Sequence, residues 1–312
     1  MIVLNLSPIF IYFLVFVFGT IWGSFFNVCI YRIPRGESII SPPSHCPKCG
    51  KKIKWYDNIP ILSYIFLRGK CRYCKNPISP QYAIVEFITG VLFAYTYVVY
   101  GLSYLFLFYC IVISLLLIGS VIDLKYLILP DFTTVGGFIF VFFSHFLFDL
   151  LNLSIPLFSI QRDFFISLSE LLSLKISFLT SSSHYIIIYT FLGAFLGFLF
   201  FVILAIIGKI VFKREAMGGG DIKLITFLGA LCGPIGVFLV IFISSLLGSI
   251  VGIILYSLGR KRTKGAEETI WNDEDFSFLE EGYYVPYGPF LALAGIIVIF
   301  WGKEFFMLYL GA

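Results

Sequence analysis

Residues 87–122 read FITGVLFAYTYVVYGLSYLFLFYCIVISLLLIGSVI, thirty-six residues without an Asp, Glu, Lys or Arg. A membrane-spanning helix needs about 20 apolar residues, so this run is either one long helix or two short ones. Loop charge separates the two cases. Segment 32–82 carries ten basic residues, and segments 209–223 and 260–264 carry four each. Cytoplasmic loops collect Lys and Arg, so all three segments are predicted to face the cytoplasm. Only an even number of crossings joins two loops on one side. Run 87–122 is therefore predicted to be a hairpin turning near Gly101-Leu102-Ser103. The same logic divides a second 36-residue run, 224–259, near Cys232-Gly233-Pro234.

Further charge-free runs cover 1–31, 176–208 and 282–302, with a shorter one at 132–148. Together they predict eight spans, at 8–31, 83–100, 103–122, 132–151, 185–208, 222–232, 235–258 and 287–309. The 222–232 element is too short to cross alone and is expected to be tilted or half-buried. The first run lacks a basic n-region and a small-residue cleavage site, so it reads as a span and not as a signal peptide. This topology puts 19 of 22 basic residues inside and leaves Arg162, Lys175 and Lys303 outside, with both termini outside.

Composition agrees. Of 312 residues, 59% are hydrophobic and 13% charged, against about a quarter charged in soluble domains. Thirty-seven Phe and nineteen Tyr cannot all be hidden in a water-soluble core. A soluble enzyme, a disordered chain and a disulfide-rich secreted domain are excluded. A net charge of +4 suggests no nucleic-acid partner. The expected fold is an all-α polytopic membrane protein of about eight transmembrane helices with a small cytoplasmic zinc-binding domain. Its parts are a first transmembrane helix at 1–31, the cytoplasmic domain at 32–82, and a membrane domain at 83–312. The last includes a Ser-rich external loop at 152–184 and a cytoplasmic loop at 260–286. That loop turns acidic over 266–282 and reads as a solvated segment.

The basic segment holds Cys46-Pro47-Lys48-Cys49 and, after 21 residues, Cys71-Arg72-Tyr73-Cys74. Two CxxC knuckles at this separation suit a tetrahedral Zn2+ held by four thiolates. Neighbouring Lys and Arg would offset the net negative charge of such a site. Four protein ligands leave no open position, so the metal is expected to be structural and to supply folding energy to a segment too small for a large core. His45 reads as a surface residue, and Cys29, Cys110 and Cys232 as buried packing residues.

Acids are nearly absent from the apolar spans. Asp123 closes the third, and Asp221, after Met217-Gly218-Gly219-Gly220, opens the sixth. Ionisable residues at a bilayer are functional by default. Each could also be a helix-end residue, Asp221 as an N-cap. Two carboxylates on one membrane face suit aspartic proteolysis, in which the pair shares one proton and activates water. Gly218, Gly219 and Gly220 would let a substrate backbone approach closely. The three His are scattered, and no G-x-S-x-G or H-E-x-x-H occurs.

At these residues the sequence closely resembles the type IV prepilin peptidases, a family of GxGD aspartic proteases that act as leader peptidase and N-methyltransferase. The matching blocks run in the family's order: Gly23-Ser24-Phe25-Phe26-Asn27-Val28, Tyr31-Arg32-Ile33-Pro34, the Cys46/Cys49 knuckle, Asn58 to Tyr64, Leu67 to Cys71, Ile78 to Tyr82 and Val85-Glu86. Then come Ile122-Asp123, Leu129-Pro130-Asp131, Met217 to Leu224 and Val285 to Phe290. The resemblance implies Asp123 and Asp221 as the catalytic pair, with Asp131 and Lys223 as supports of substrate and loop. Glu86 and Asp131 are secondary candidates; Asp131 could instead cap the fourth span. It further implies cytoplasmic cleavage of type IV prepilins or pseudopilins at the bacterial inner membrane, then methylation of the new N-terminus from S-adenosyl-L-methionine. No residue is assigned to that methyl donor. The alternatives are a non-catalytic zinc-anchored scaffold or carrier of pilus or secretion machinery, and a peptidase without methylase activity.

Overall fold

The computed structural model describes residues 7–171, 184–213, 217–262 and 286–310. The acidic stretch 266–282 lies outside them. Nine helices are described: α1 Pro8–Arg32, α2 Leu62–Phe66, α3 Gln81–Tyr100, α4 Tyr104–Tyr126, α5 Asp131–Leu150, α6 Pro156–Leu171, α7 Tyr185–Phe212, α8 Gly219–Arg262 and α9 Gly288–Leu310. No strand occurs among the described residues. Among the described residues, seven helices are long and apolar enough to cross a membrane. The chain divides into compact units at 1–118 and 119–312.

In the first unit, α1 and α3 approach through small residues. A Cβ on Gly19 would lie 2.8 Å from Gly90 Cα, and one on Gly23 would lie 2.7 Å from Glu86 Cα. Bulk at any of these glycines would push the helices apart, the logic of small-residue contacts between membrane helices. α3 ends at Tyr100 and α4 begins at Tyr104, so the 87–122 run turns at Gly101, whose φ is +61°.

In the second unit, α8 is a helical hairpin. Gly233 has φ +77° and Pro234 follows it. Gly197 of α7 touches both sides of the break: a Cβ there would meet Ile225 O at 2.9 Å and Val237 Cγ2 at 3.0 Å. Twelve residues of unbroken helix would separate those two positions by about 18 Å. The chain therefore folds back, and the 224–259 run supplies two limbs. The first limb, 219–232, is about 21 Å long, too short to cross a 30 Å hydrocarbon core. It is clamped against α7, where Gly193 and Gly229 meet backbone to backbone with no room for a side chain on either.

The segment expected as an external loop contains α6. High Ser content and weak charge suggest a loop that still carries apolar side chains; of these, Ile155, Leu157 and Phe158 are buried and fold it onto the bundle. Gln161 of α6 is 1% exposed and sits on the hairpin turn. Its Nε2 donates to Cys232 O at 2.7 Å, and its Oε1 accepts from the Ile235 amide at 3.3 Å. One side-chain amide thus serves an orphan carbonyl of the ending limb and an orphan N–H of the beginning limb. Gln161→Leu keeps the volume but strands both groups in a buried site. It should destabilise the protein by about 2 kcal/mol, since each stranded group costs about 1–3 kcal/mol. Denaturation of the detergent-solubilised variant would measure this, and an unchanged midpoint would mean the brace is dispensable.

Candidate active site and metal centre

Asp123 lies near the end of α4 and is 6% exposed. Gly288, the first residue of α9, packs on it so tightly that a Cβ there would lie 2.5 Å from Asp123 Oδ2. The Gly288 backbone amide faces this carboxylate. Asp221 lies in the first turn of α8, where its amide bonds to Gly218 O at 3.2 Å.

Leu129 joins the two sides. Cβ atoms on Gly220 and Gly288 would lie 3.3 and 3.2 Å from the same methyl, Leu129 Cδ1. The glycine loop and the start of α9 therefore converge on one side chain, and Asp123 and Asp221 come within electrostatic range of each other. Two helix N-termini, those of α8 and α9, open beside the carboxylates, and their partial positive charge suits a site holding net negative charge. Among the described residues, nothing outside its own chain neighbours comes within 4 Å of a Cβ placed on Gly219.

The supporting residues separate from the pair. Lys223 Nζ binds Asp131 Oδ1 at 2.5 Å and ties the start of α5 to the start of α8. Both side chains are substantially exposed, 47% and 70%, so the bond contributes little stability beyond fixing that alignment. Glu86 belongs to the first unit, where its Oε2 accepts the Ile61 amide at 2.7 Å.

Charge-free runs alone put both aspartates at a membrane edge. The neighbouring helices refine this. Tyr287, beside Gly288, packs on Phe201 of α7 with ring centroids 6.3 Å apart, and its hydroxyl bonds to Ser244 Oγ at 2.7 Å. From Phe201, α7 continues about 12 Å before its first charge, Lys209; from Ser244, the second limb of α8 continues about 24 Å before Arg260. Apolar stretches of α7 and of the second limb of α8 thus run on beyond the level of the carboxylates.

The four cysteine sulfurs of Cys46, Cys49, Cys71 and Cys74 all lie within 4.8 Å of one another, a cluster able to hold a metal ion. His45 is exposed and outside it. Each knuckle is the same backbone turn. Cys46 and Cys71 donate to Lys51 O and Asn76 O at 3.0 and 2.8 Å. Gly50 and Lys75 donate back to Cys46 O and Cys71 O at 2.8 and 3.0 Å. Single β-bridges, His45 to Lys52 and Lys70 to Pro77, close both. This eight-residue repeat is too short to register as a sequence repeat. Backbone amides of Cys74 and Tyr73 lower the Cys71 thiol to about 7. Arg72 forks onto Asp57, Nε to Oδ2 at 2.8 Å, and this bond holds the Asp57 carboxyl below its usual range. Cys29, Cys110 and Cys232 are buried packing residues, as expected.

Sequence reasoning missed Gln161, placed Leu129 and Gly288 in matching blocks without giving either a role, and missed the α7–α8 clamp. The last carries a readable signal, Gly193-x3-Gly197 against Gly229-x3-Gly233 in apolar stretches.

These features define a class: a multi-pass helical membrane protein with a paired-aspartate site and a four-cysteine centre. Comparison with known proteins gives the family. A family model of the bacterial peptidase A24 N-terminal domain matches residues 17–100, and one of the type IV leader peptidase family matches 162–253. The second match contains Asp221; Asp123 lies between the two. The prepilin leader peptidase/N-methyltransferase of Myxococcus xanthus is 31% identical over 95% of this chain and 91% of its own length. That of Xanthomonas campestris is 31% identical over 92% and 90%. That of Legionella pneumophila is 29% identical over 97% and 96%. No solved structure matches. The chain belongs to the prepilin leader peptidase/N-methyltransferase family.

Proposed function

We propose that this chain is a membrane aspartic endopeptidase that removes the leader peptide of type IV prepilins or pseudopilins and methylates the new N-terminal residue. The observation that carries the proteolytic part is the convergence of Asp123 and Asp221 through Leu129 and Gly288. A non-catalytic scaffold would require no such convergence. Asp123 and Asp221 share one proton; the ionised carboxylate takes a proton from water while the protonated one donates to the scissile carbonyl. Water adds directly, and no acyl-enzyme forms. Gly218, Gly219 and Gly220 border the substrate backbone, and the Lys223–Asp131 bond holds the loop in register. The apolar helix of the substrate lies along the apolar stretches of α7 and α8. The pair faces the cytoplasm of a bacterial inner membrane, the side on which the basic segments collect. Reporter fusions after residues 55 and 125 should read the cytoplasm and one after residue 165 the opposite side; 125 on the outer face would break the hairpin at Gly101 and overturn this reading.

The metal is Zn2+. Four sulfurs around an ion at about 2.3 Å stand about 3.8 Å apart in a tetrahedron. Cys46 and Cys74 sulfurs lie 3.9 Å apart. The ion fixes the two knuckles in a closed, structural site within 32–82 and takes no part in proteolysis.

The methyl donor is S-adenosyl-L-methionine, on family membership alone. A groove of about 760 Å³ in the first unit is large enough, but its lining is mostly apolar. Its one guanidinium, Arg32, is already bonded to Ser38 O and Pro42 O. It does not fit a donor rich in charged and hydroxyl groups.

Purified protein incubated with a prepilin, with and without S-adenosyl-L-methionine, should yield leaderless pilin, heavier by one methyl group only when the donor is present. Uncleaved prepilin would overturn the peptidase reading; cleaved but unmethylated product would leave a peptidase alone.

A further inference from the structure

Segment 32–82 carries ten basic residues against two acidic ones, Glu37 and Asp57. For so polar a stretch it exposes much apolar surface. Leu62, Ile65 and Phe66 of α2 are 52%, 60% and 79% exposed. A segment in water would bury such side chains or lack them.

The backbone fixes where these side chains stand. Ile61 has φ +60° and ψ −51°, and the Leu62 amide bonds back to Pro60 O at 2.5 Å, a γ-turn strained for a β-branched residue. The Ile61 amide is held by Glu86, five residues inside α3. Five residues are about 7 Å of helix, so the turn is drawn below the polar end of α3, to the level of that helix's apolar side chains. α2 starts from that turn. The 760 Å³ groove is bounded by Phe25 and Val28 of α1 and by Ile40, Ile59 and Leu62. Just beyond α2, Phe66 shares a second depression with Arg68, Lys70 and Lys75.

We propose that Ile59–Phe66 is a membrane seat, with its apolar side chains among the acyl chains of an anionic leaflet and Arg68, Lys70 and Lys75 against the lipid phosphates. Apolar residues flanked by Lys and Arg at an interface are the pattern of a surface-lying helix. Charge selects this occupant over the others. A basic leader peptide or a second copy of this equally basic segment would be repelled, whereas phosphatidylglycerol supplies the missing negative charge. Acyl chains also match the lining of the groove. The seat is independent of the proteolytic reading.

The test uses the full chain in nanodiscs of phosphatidylcholine alone or mixed with phosphatidylglycerol. Amide hydrogen exchange over 62–67 should slow on the order of tenfold in the anionic discs and recover partly at high salt. Arg68→Gln, which removes a cation of the seat that is not adjacent to a metal-ligating cysteine, should reduce the lipid dependence while metal content and cleavage of prepilin persist. As a depth reading, Phe66→Trp, in a chain whose four native tryptophans are replaced by Phe, should give indole fluorescence that brominated lipid tails quench. Equal exchange in both lipids overturns the seat, as does indole fluorescence quenched only by aqueous iodide. Slowing that depends on protein concentration would point to a second copy and also overturns it.

Discussion

Asp123→Asn and Asp221→Asn should each abolish prepilin cleavage, lowering kcat by about 10³-fold or more, since general acid–base groups contribute about 10²–10⁴ each and the two act as a unit. Asn keeps the size and the hydrogen-bonding outline. Asp123 is packed under Gly288, so a change of shape there would disturb α9, whereas Asn should not. What is lost is the shared proton. Neither amide can take a proton from water, and the remaining carboxylate cannot serve as acid and base together. The pH–rate profile of the unsubstituted protein should show two macroscopic pKa values belonging to the pair. Methylation of a pre-cleaved pilin, together with metal content, provides the control for folding: both should survive. Near-normal cleavage by either Asn variant would refute the paired-carboxylate mechanism. A companion change, Gly288→Ala, brings a methyl against Asp123 Oδ2 and should reduce kcat while leaving both carboxylates in place.

Much of this arrangement is legible in the sequence because membrane spans obey a coarse rule. Length and absence of charge locate α3, α4, α5, α7 and α9 within a few residues. The turns at Gly101 and Gly233 follow from loop charge plus a glycine able to take positive φ. The cysteine centre is legible because ligand spacing is set locally. Less local features escape. Depth is one: Asp123 ends its own apolar run, but how far it lies from water depends on α7 and α8, which are remote in sequence. The γ-turn at Ile61 is another. Nothing in Pro60-Ile61-Leu62 announces a positive φ, and it persists because Glu86 captures the Ile61 amide. α6 is a third. Its Ser-rich surroundings obscure Ile155, Leu157 and Phe158, and the role of Gln161 exists only once the hairpin turn is formed. Local chemistry and hydropathy are written in the chain; tertiary rescue of backbone groups is not.

Removing the metal should unfold 44–77 while the spans stay assembled. The described part of this segment has no buried apolar cluster of its own; Cys71 is its one buried residue. Its backbone order rests on two short turns, two isolated bridges and the five-residue helix α2, which are marginal without a staple. Structural zinc contributes about 10–16 kcal/mol of apparent binding energy in small peptides, far more than such turns can supply. Cys46→Ser or Cys71→Ser should therefore lose metal altogether, since three thiolates and a hydroxyl hold it poorly. Lys48, Lys51, Lys52, Lys54, Lys70, Arg72 and Lys75 should then be cut rapidly by trypsin, while α1 and α3 remain protected in the bilayer. Chelator treatment of the unsubstituted protein should reproduce the pattern, and added Zn2+ should reverse it. Prepilin cleavage by these variants should fall far less than in the aspartate variants, because the metal holds the segment and no carboxylate of the pair. Elemental analysis finding no metal in a natively expressed chain that resists trypsin across 46–75 would refute the structural-metal reading. The order of this segment would then rest on the Arg72–Asp57 fork and the Glu86 tie alone.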